Sequence, residues 1–236
     1  MPVKPLSRRL RLIPALMLLL AGAAQADRND LDDLRSYDKD EWILVKNDRR
    51  HQVVTYAKQE DQKRLRSFRQ ELTFDASIDA IAALLLDIEN YPRWYHLNTE
   101  SRMLKKVSPT EFYYYQVFDA PPGTPDRDVV VRATIQPYSA RSGALKLVLR
   151  AAPDFMPPQP GLVRMPAFEM VATYTPIGNG QIKGVTEGYA DPGGNAPAWA
   201  INYVQRAAPY RNALSIRRVV KEYENGEFTS PFRYKE

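Results

Sequence analysis

Apolar residues recur along this chain in two periods, and the change from one to the other marks its elements. Phe68, Gln70, Leu72 and Phe74 alternate with neighbours of different polarity, which predicts a strand over 67–74. Trp42-Ile43-Leu44-Val45 is the first stretch that can pack, and 53–56 reads as a further strand. At Ile78, Ile81, Ala82, Leu85 and Leu86 the spacing turns to three and four, putting five side chains on one helical face. Ser77 precedes that run as its N-cap. The helix should stop near Asp87, ahead of Tyr91-Pro92, because the residue before proline is biased away from helix.

From 102 to 190 the short period returns. Strands are predicted over 103–107, 112–118, 129–137, 145–151, 168–175 and 182–190. Between them stand turn formers such as Pro121-Pro122-Gly123, Arg141-Ser142-Gly143 and Gly178-Asn179-Gly180 at hairpin spacing. With the earlier strands this makes an antiparallel sheet of seven to nine. After Asp191-Pro192-Gly193-Gly194, Pro197 opens a last helix, where a first-turn proline is tolerated. Its stripe is Trp199, Tyr203, Ala207, Tyr210 and Leu214. Pro209 falls within it, removes one backbone donor and predicts a kink. Two long helices among antiparallel strands define an α+β fold with the helices on one face of a curved sheet.

Composition alters this picture at the N-terminus. Arg8, Arg9 and Arg11 precede an apolar run from Leu12 to Ala23, and Ala24-Gln25-Ala26 has the form of a cleavage site. The run is shorter than the ~20 residues a bilayer span needs. Residues 1–26 therefore read as a signal peptide and 27–40 as an acidic lead-in. Residues 41–224 form one domain and 225–236 a tail. Removing the signal peptide takes away four basic residues and no acid, leaving 29 basic against 28 acidic residues, a net charge of +1. That balance gives no case for nucleic-acid binding. The chain has no cysteine, which excludes a lipid-modified N-terminal cysteine, thiolate metal sites and a cysteine nucleophile. The expected compartment is the periplasm.

Candidate chemistry is sparse. The two histidines, His51 and His96, have no metal-ligand spacing, and no phosphate loop, dinucleotide fingerprint or Gly-x-Ser-x-Gly elbow is present. No cofactor is implied. The aliphatic faces Val129, Val131, Ala133 and Leu145, Leu147, Leu149 suit either a dry core or a cavity wall, which periodicity cannot separate.

Two segments carry a resemblance. Asp87-Ile88-Glu89-Asn90-Tyr91-Pro92-Arg93-Trp94 and Asp126-Arg127-Asp128-Val129-Val130-Val131-Arg132, in that order, resemble bacterial START domains, lipid-binding members of the helix-grip (START/SRPBCC) superfamily. The resemblance covers 41–223. It implies a helix-grip fold, with a curved antiparallel sheet around a long C-terminal helix that gates an apolar cavity. By the same analogy, the loops at 119–125 and 153–160 fall near the opening.

Under that resemblance the candidate ligand-binding residues are Tyr113, Val131, Arg132, Leu147, Leu149, Glu169, Trp199, Tyr203 and Tyr210. An inward Arg132 could meet a lipid headgroup or pair with Glu169 or Glu187; outward, it is a solvent-facing arginine, since Val131 and Ala133 face the other way. Of Tyr113, Tyr114 and Tyr115, alternation turns one or two inward. Arg127 and Asp128 read as pins of a strand end, and His96 as a buried structural histidine. Three functions are open. The first is a monomeric periplasmic carrier of a lipid or lipid-like ligand that touches membranes transiently. The second is a cavity-less interaction module. The third is a cyclase- or aromatase-like enzyme using Asp87, Tyr113, Arg132 and Glu169.

Overall fold

The computed structural model describes residues 40–195 and 198–224, and the side chains at 198–200 and 202–204 lie outside that description. The expected signal peptide, nearly all of the acidic lead-in and the tail likewise lie outside the described residues.

Strands β1 (Ile43–Asp48), β2 (Val53–Lys58) and β3 (Ser67–Asp75) lead into α1 (Ile78–Leu86). Ser77 caps α1 by accepting the Ala80 N–H at 3.1 Å, as the sequence predicts. A 3-10 turn, Ile88–Arg93, follows with Pro92 inside it. The meander then comprises β4 (Asn98–Ser108), β5 (Glu111–Phe118), β6 (Arg127–Gln136), β7 (Leu145–Ala151), β8 (Val163–Arg164), β9 (Ala167–Gly178) and β10 (Gln181–Asp191). The last element is α2 (Ala198–Glu224), a helix assigned without interruption through Pro209.

The ten strands of the described residues form one sheet in the order β1-β2-β3-β10-β9-β7-β6-β5-β4, with β8 off this path. Neighbours along the path are antiparallel, while β8 pairs parallel with β6 through Arg127↔Val163 and Asp128↔Arg164. This two-residue strand is additional to the predicted set, being too short to show a period. The long-range closure, β3 against β10, brings the sheet's first and last thirds together.

Alternation assigns the two faces. Val129, Val131, Ala133 and Ile135 of β6 join Tyr114 of β5 and Leu145, Leu147 and Leu149 of β7 in one buried cluster with α1 and α2. Both helices thus cover this inner face. The opposite side carries a smaller cluster of Tyr115, Val117 and Val130, overlaid by Tyr113, Ala152, Met156 and Leu162. The loop after β7 therefore folds over the outer face.

Candidate functional site

A pocket of about 190 Å³ opens between the inner face of the sheet and α2. Its walls are apolar and aromatic: Phe68 of β3, Tyr114 and Phe118 of β5, Leu147 and Leu149 of β7, and Phe168, Met170 and Ala172 of β9. The helix contributes Ile201, Gln205, Ala208, Pro209, Asn212 and Ile216, a spacing that keeps one face toward the pocket.

Small residues on β10 let the neighbouring side chains pack down onto the strand. Gly184, Thr186, Gly188 and Ala190 point to the same side, and Thr186 and Ala190 line the pocket. A Cβ on Gly188 would stand 2.8 Å from both Met170 Cγ and Phe68 Cζ, so those two wall residues close over a strand position with no side chain. On Gly184 a Cβ would come within 2.9 Å of Leu72.

The rim is built from irregular backbone. Leu97 lines the pocket with φ at +62°, a conformation that costs a non-glycine residue about 1–2 kcal/mol. Its carbonyl accepts the Asp119 N–H at 2.8 Å, which ties the 119–125 loop to this strained corner. Asp119, Ala120, Pro121 and Thr124 of that loop all line the pocket, in keeping with what the resemblance implies. The 153–160 loop does not. Phe155 stacks on Tyr113 at 4.2 Å on the outer face, because the outward side chains of β5 and β6 offer it an apolar seat there.

Polar groups in the wall are few and mostly neutral. Burial raises the hydroxyl pKa of Tyr91, Tyr95 and Tyr114, and pushes Tyr174 up to about 12 despite a hydrogen bond with Thr186. Tyr91 donates to the Leu85 carbonyl at 2.6 Å. His96 is half-buried at the pocket, and burial together with the Arg211 charge lowers its pKa, favouring the neutral ring. Arg127, 7% exposed, also lines the pocket. Its Nη1 donates to the Pro125 carbonyl, and its buried Nε–H meets no acceptor.

The two ends of α2 are fastened differently. Toward its C-terminus Ala213, Ile216, Val219, Val220 and Tyr223 are buried. Arg217 donates to the His51 and Thr73 carbonyls at 2.7 and 3.2 Å, and Tyr223 donates to Asp87 at 2.8 Å. Over the pocket, Gln205 donates to the Arg66 carbonyl at 3.3 Å, and the Tyr210 hydroxyl donates to Asp48. The turn into α2 is held by Asp191, which accepts from Arg64 Nε at 3.0 Å and from the Gly193 N–H at 2.8 Å. Arg64 holds the Asp191 carboxyl below the usual carboxylate range. Gly193 has φ +66°, and a Cβ there would meet Pro166 at 3.0 Å and the Arg164 carbonyl at 3.1 Å, so this turn requires glycine.

The sequence-derived candidates separate on this frame. Leu147 and Leu149 line the pocket. Val131 is fully buried in the core cluster, beside the pocket rather than in its wall. Four other candidates stand outside the pocket lining. Tyr113 faces outward and stacks on Phe155, the inward tyrosine being Tyr114. Arg132 is exposed and pairs with Glu111 at 2.8 Å, since its strand neighbours Val131 and Ala133 take the inner face. Glu169 is exposed on β9, alternating with buried Phe168. Tyr210 turns toward β1, bonding Asp48 under the Lys46 ammonium, which lies 3.6 Å from its ring centre. The side chains of Trp199 and Tyr203 lie outside the described residues. Asp87, Tyr113, Arg132 and Glu169 do not converge: Asp87 bonds Tyr223 and Asn90, away from the pocket.

Sequence reasoning missed Arg127 as a pocket residue, although it shares strand parity with Val129, Val131 and Ala133. Asp128 is a strand pin, as expected. Fully buried on the outer face, it accepts two bonds of 2.9 Å from Arg164 and one of 3.1 Å from the Tyr115 hydroxyl.

A long antiparallel sheet wrapped on a C-terminal helix, with an apolar pocket between them, is the architecture of START domains, and the comparisons agree. A STAR-related lipid transfer protein of Xanthomonas axonopodis superposes with a TM-score of 0.69 at 27% identity, over 77% of this chain and 99% of that one. Human STARD10 gives a TM-score of 0.66 at 19% identity, covering 84% of this chain and 82% of that chain. For human StAR-related lipid transfer protein 5 the values are 0.67 and 15%, covering 86% and 97%. In sequence, an uncharacterized protein of Pseudomonas aeruginosa is 24% identical over 183 residues, 78% of this chain and 88% of that protein. No family model matches. The chain has the START-domain, helix-grip α+β fold.

Proposed function

We propose that this protein binds a lipid or similar apolar ligand in the pocket beneath α2 and carries it through the periplasm. The observation that carries this reading is an apolar, aromatic pocket under a helix whose far end is deeply anchored. The similarity to a bacterial STAR-related lipid transfer protein along nearly its whole length supports it. So does the leader-like pattern of residues 1–26 for the compartment. An interaction module with a solid interior would have no need of such a pocket.

Magnitudes favour a gated site. Burying one methylene gains about 0.8 kcal/mol, so a dozen contribute roughly 10 kcal/mol, against several lost on association and ordering. Micromolar affinity needs no charged contact at all. The pocket's 190 Å³ is smaller than the roughly 300–1,000 Å³ of sites that enclose drug-sized ligands. The pocket is therefore narrow for a whole lipid, and in this reading it widens for loading at a membrane surface as the pocket end of α2 swings on the Asp191–Gly193 turn.

Native mass spectrometry of the protein recovered gently from the periplasm tests this. A stoichiometric adduct that organic extraction identifies as a lipid is the expected result. A bare mass, unchanged after incubation with membrane extract, would overturn the carrier function.

A further inference from the structure

Arg127 begins β6 on the inner face, ahead of Val129 and Val131, and is more than nine-tenths buried in the pocket wall. A buried guanidinium is costly unless it is paired and hydrogen-bonded. Arg127 has one described partner, the Pro125 carbonyl at Nη1. Its Nε–H is buried without an acceptor, and among the described residues no carboxylate stands within ion-pairing distance of it. With Nη1 committed, the edge left over is Nε with Nη2, the two parallel donors that the oxygens of a carboxylate or phosphate accept side-on.

The rest of the wall has the same bias. Trp94, which also lines the pocket, has a second buried donor without an acceptor in its Nε1–H. Arg66 also lines the pocket and adds a second positive charge to its wall. The one lining carboxylate, Asp119, is exposed at the rim. His96, the remaining titratable cation former, has its pKa lowered by burial and Arg211.

We infer that the pocket contains an anion subsite at Arg127, and that its ligand is a single-chain amphiphile with a carboxylate or phosphate head. The inference rests on the apolar-ligand function proposed above and names its ligand class. The head group pairs the unmatched donors of Arg127, and the chain runs along Leu149 and Leu147 beneath α2.

The test is titration of the purified protein with palmitate, hexadecyl phosphate and hexadecanol, which share a chain and differ in head. Acetate and inorganic phosphate serve as chainless competitors. Palmitate, hexadecyl phosphate or both should bind about tenfold or more tightly than hexadecanol, since a hydrogen bond to a charged partner outweighs a neutral one. Arg127→Gln should erase that preference while hexadecanol binding persists, and Arg127→Lys should restore part of it. Acetate and phosphate should not displace palmitate.

Hexadecanol bound as tightly as both acids by the wild-type protein would overturn the subsite and leave the apolar-ligand function standing. Failure of all three amphiphiles to bind would overturn both. Displacement of palmitate by a chainless anion would make the ligand a free anion and overturn the amphiphile. Were Arg127→Gln not to fold, the wild-type contrast between acid and alcohol decides by itself.

Discussion

Arg127 and Asp128 are adjacent in sequence and opposite in circumstance. Asp128 points to the outer face, where Arg164 grips both its oxygens and Tyr115 donates a third bond. Arg127 points to the inner face and leaves its buried Nε–H without an acceptor. One residue of strand register separates a closed ion pair from an open one. On the outer side a small cluster and a clasped loop make structure; on the inner side apolar walls and the face of α2 enclose a pocket. The comparison teaches that buried charge stabilises where its partners come from the chain, and is available for binding where they do not.

Breaking the outer clasp should have the largest effect. Arg164→Met leaves Asp128 fully buried without its cation and should cost about 3–5 kcal/mol, read by urea denaturation. Filling the inner side comes next. Gly188→Val displaces Phe68 and Met170, should cost about 1–3 kcal/mol by the same assay, and should weaken uptake of an acyl-chain probe.

Acid should act more gently. Burial opposes ionisation of Glu60, but hydrogen bonds from Lys63, Ser67 and Lys58 outweigh it and lower its pKa from 4.5 to about 2. The Tyr210 hydroxyl, then His51, hold the Asp48 carboxyl below its ordinary range. Both carboxylates therefore stabilise the fold fully above about pH 5 and lose that contribution as pH falls through 4 toward 2. Melting temperature should fall over that window, with the Tyr210→Phe protein losing the Asp48 part of the dependence. Smallest of all is Arg132→Gln, which removes a half-exposed pair with Glu111 and should change stability by less than about 1 kcal/mol without altering ligand uptake.

Much of this was legible in the sequence, and the misses share one cause. Period-two alternation located eight of the strands and the Ser77 cap located α1, because both are local signals. Alternation fixes which residues share a face but not which face is inner. Hence Tyr113 and Arg132 were placed as ligand contacts, whereas Tyr114 and Arg127 occupy the pocket. The parity of Arg127 with Val129 and Val131 held that answer, had the face been set by the aliphatic residues rather than by the charge. The seat of the 153–160 loop and the two-residue β8 depend on long-range pairing with β6, which no local period carries. Pocket volume was equally hidden, since its walls come from β3, β5, β7, β9 and α2, which are far apart in the chain.

The central claim is that the pocket beneath α2 is where an apolar ligand sits. Ala172 lines it from β9 and is almost fully buried, so Ala172→Trp puts an indole into the space. Uptake of a fluorescent acyl chain by the wild-type protein and by this variant, each checked for native circular dichroism, is the direct measurement. Stoichiometric uptake by the wild type and its loss in the folded variant is the predicted result. Equal uptake by both would put the ligand elsewhere and contradict the account.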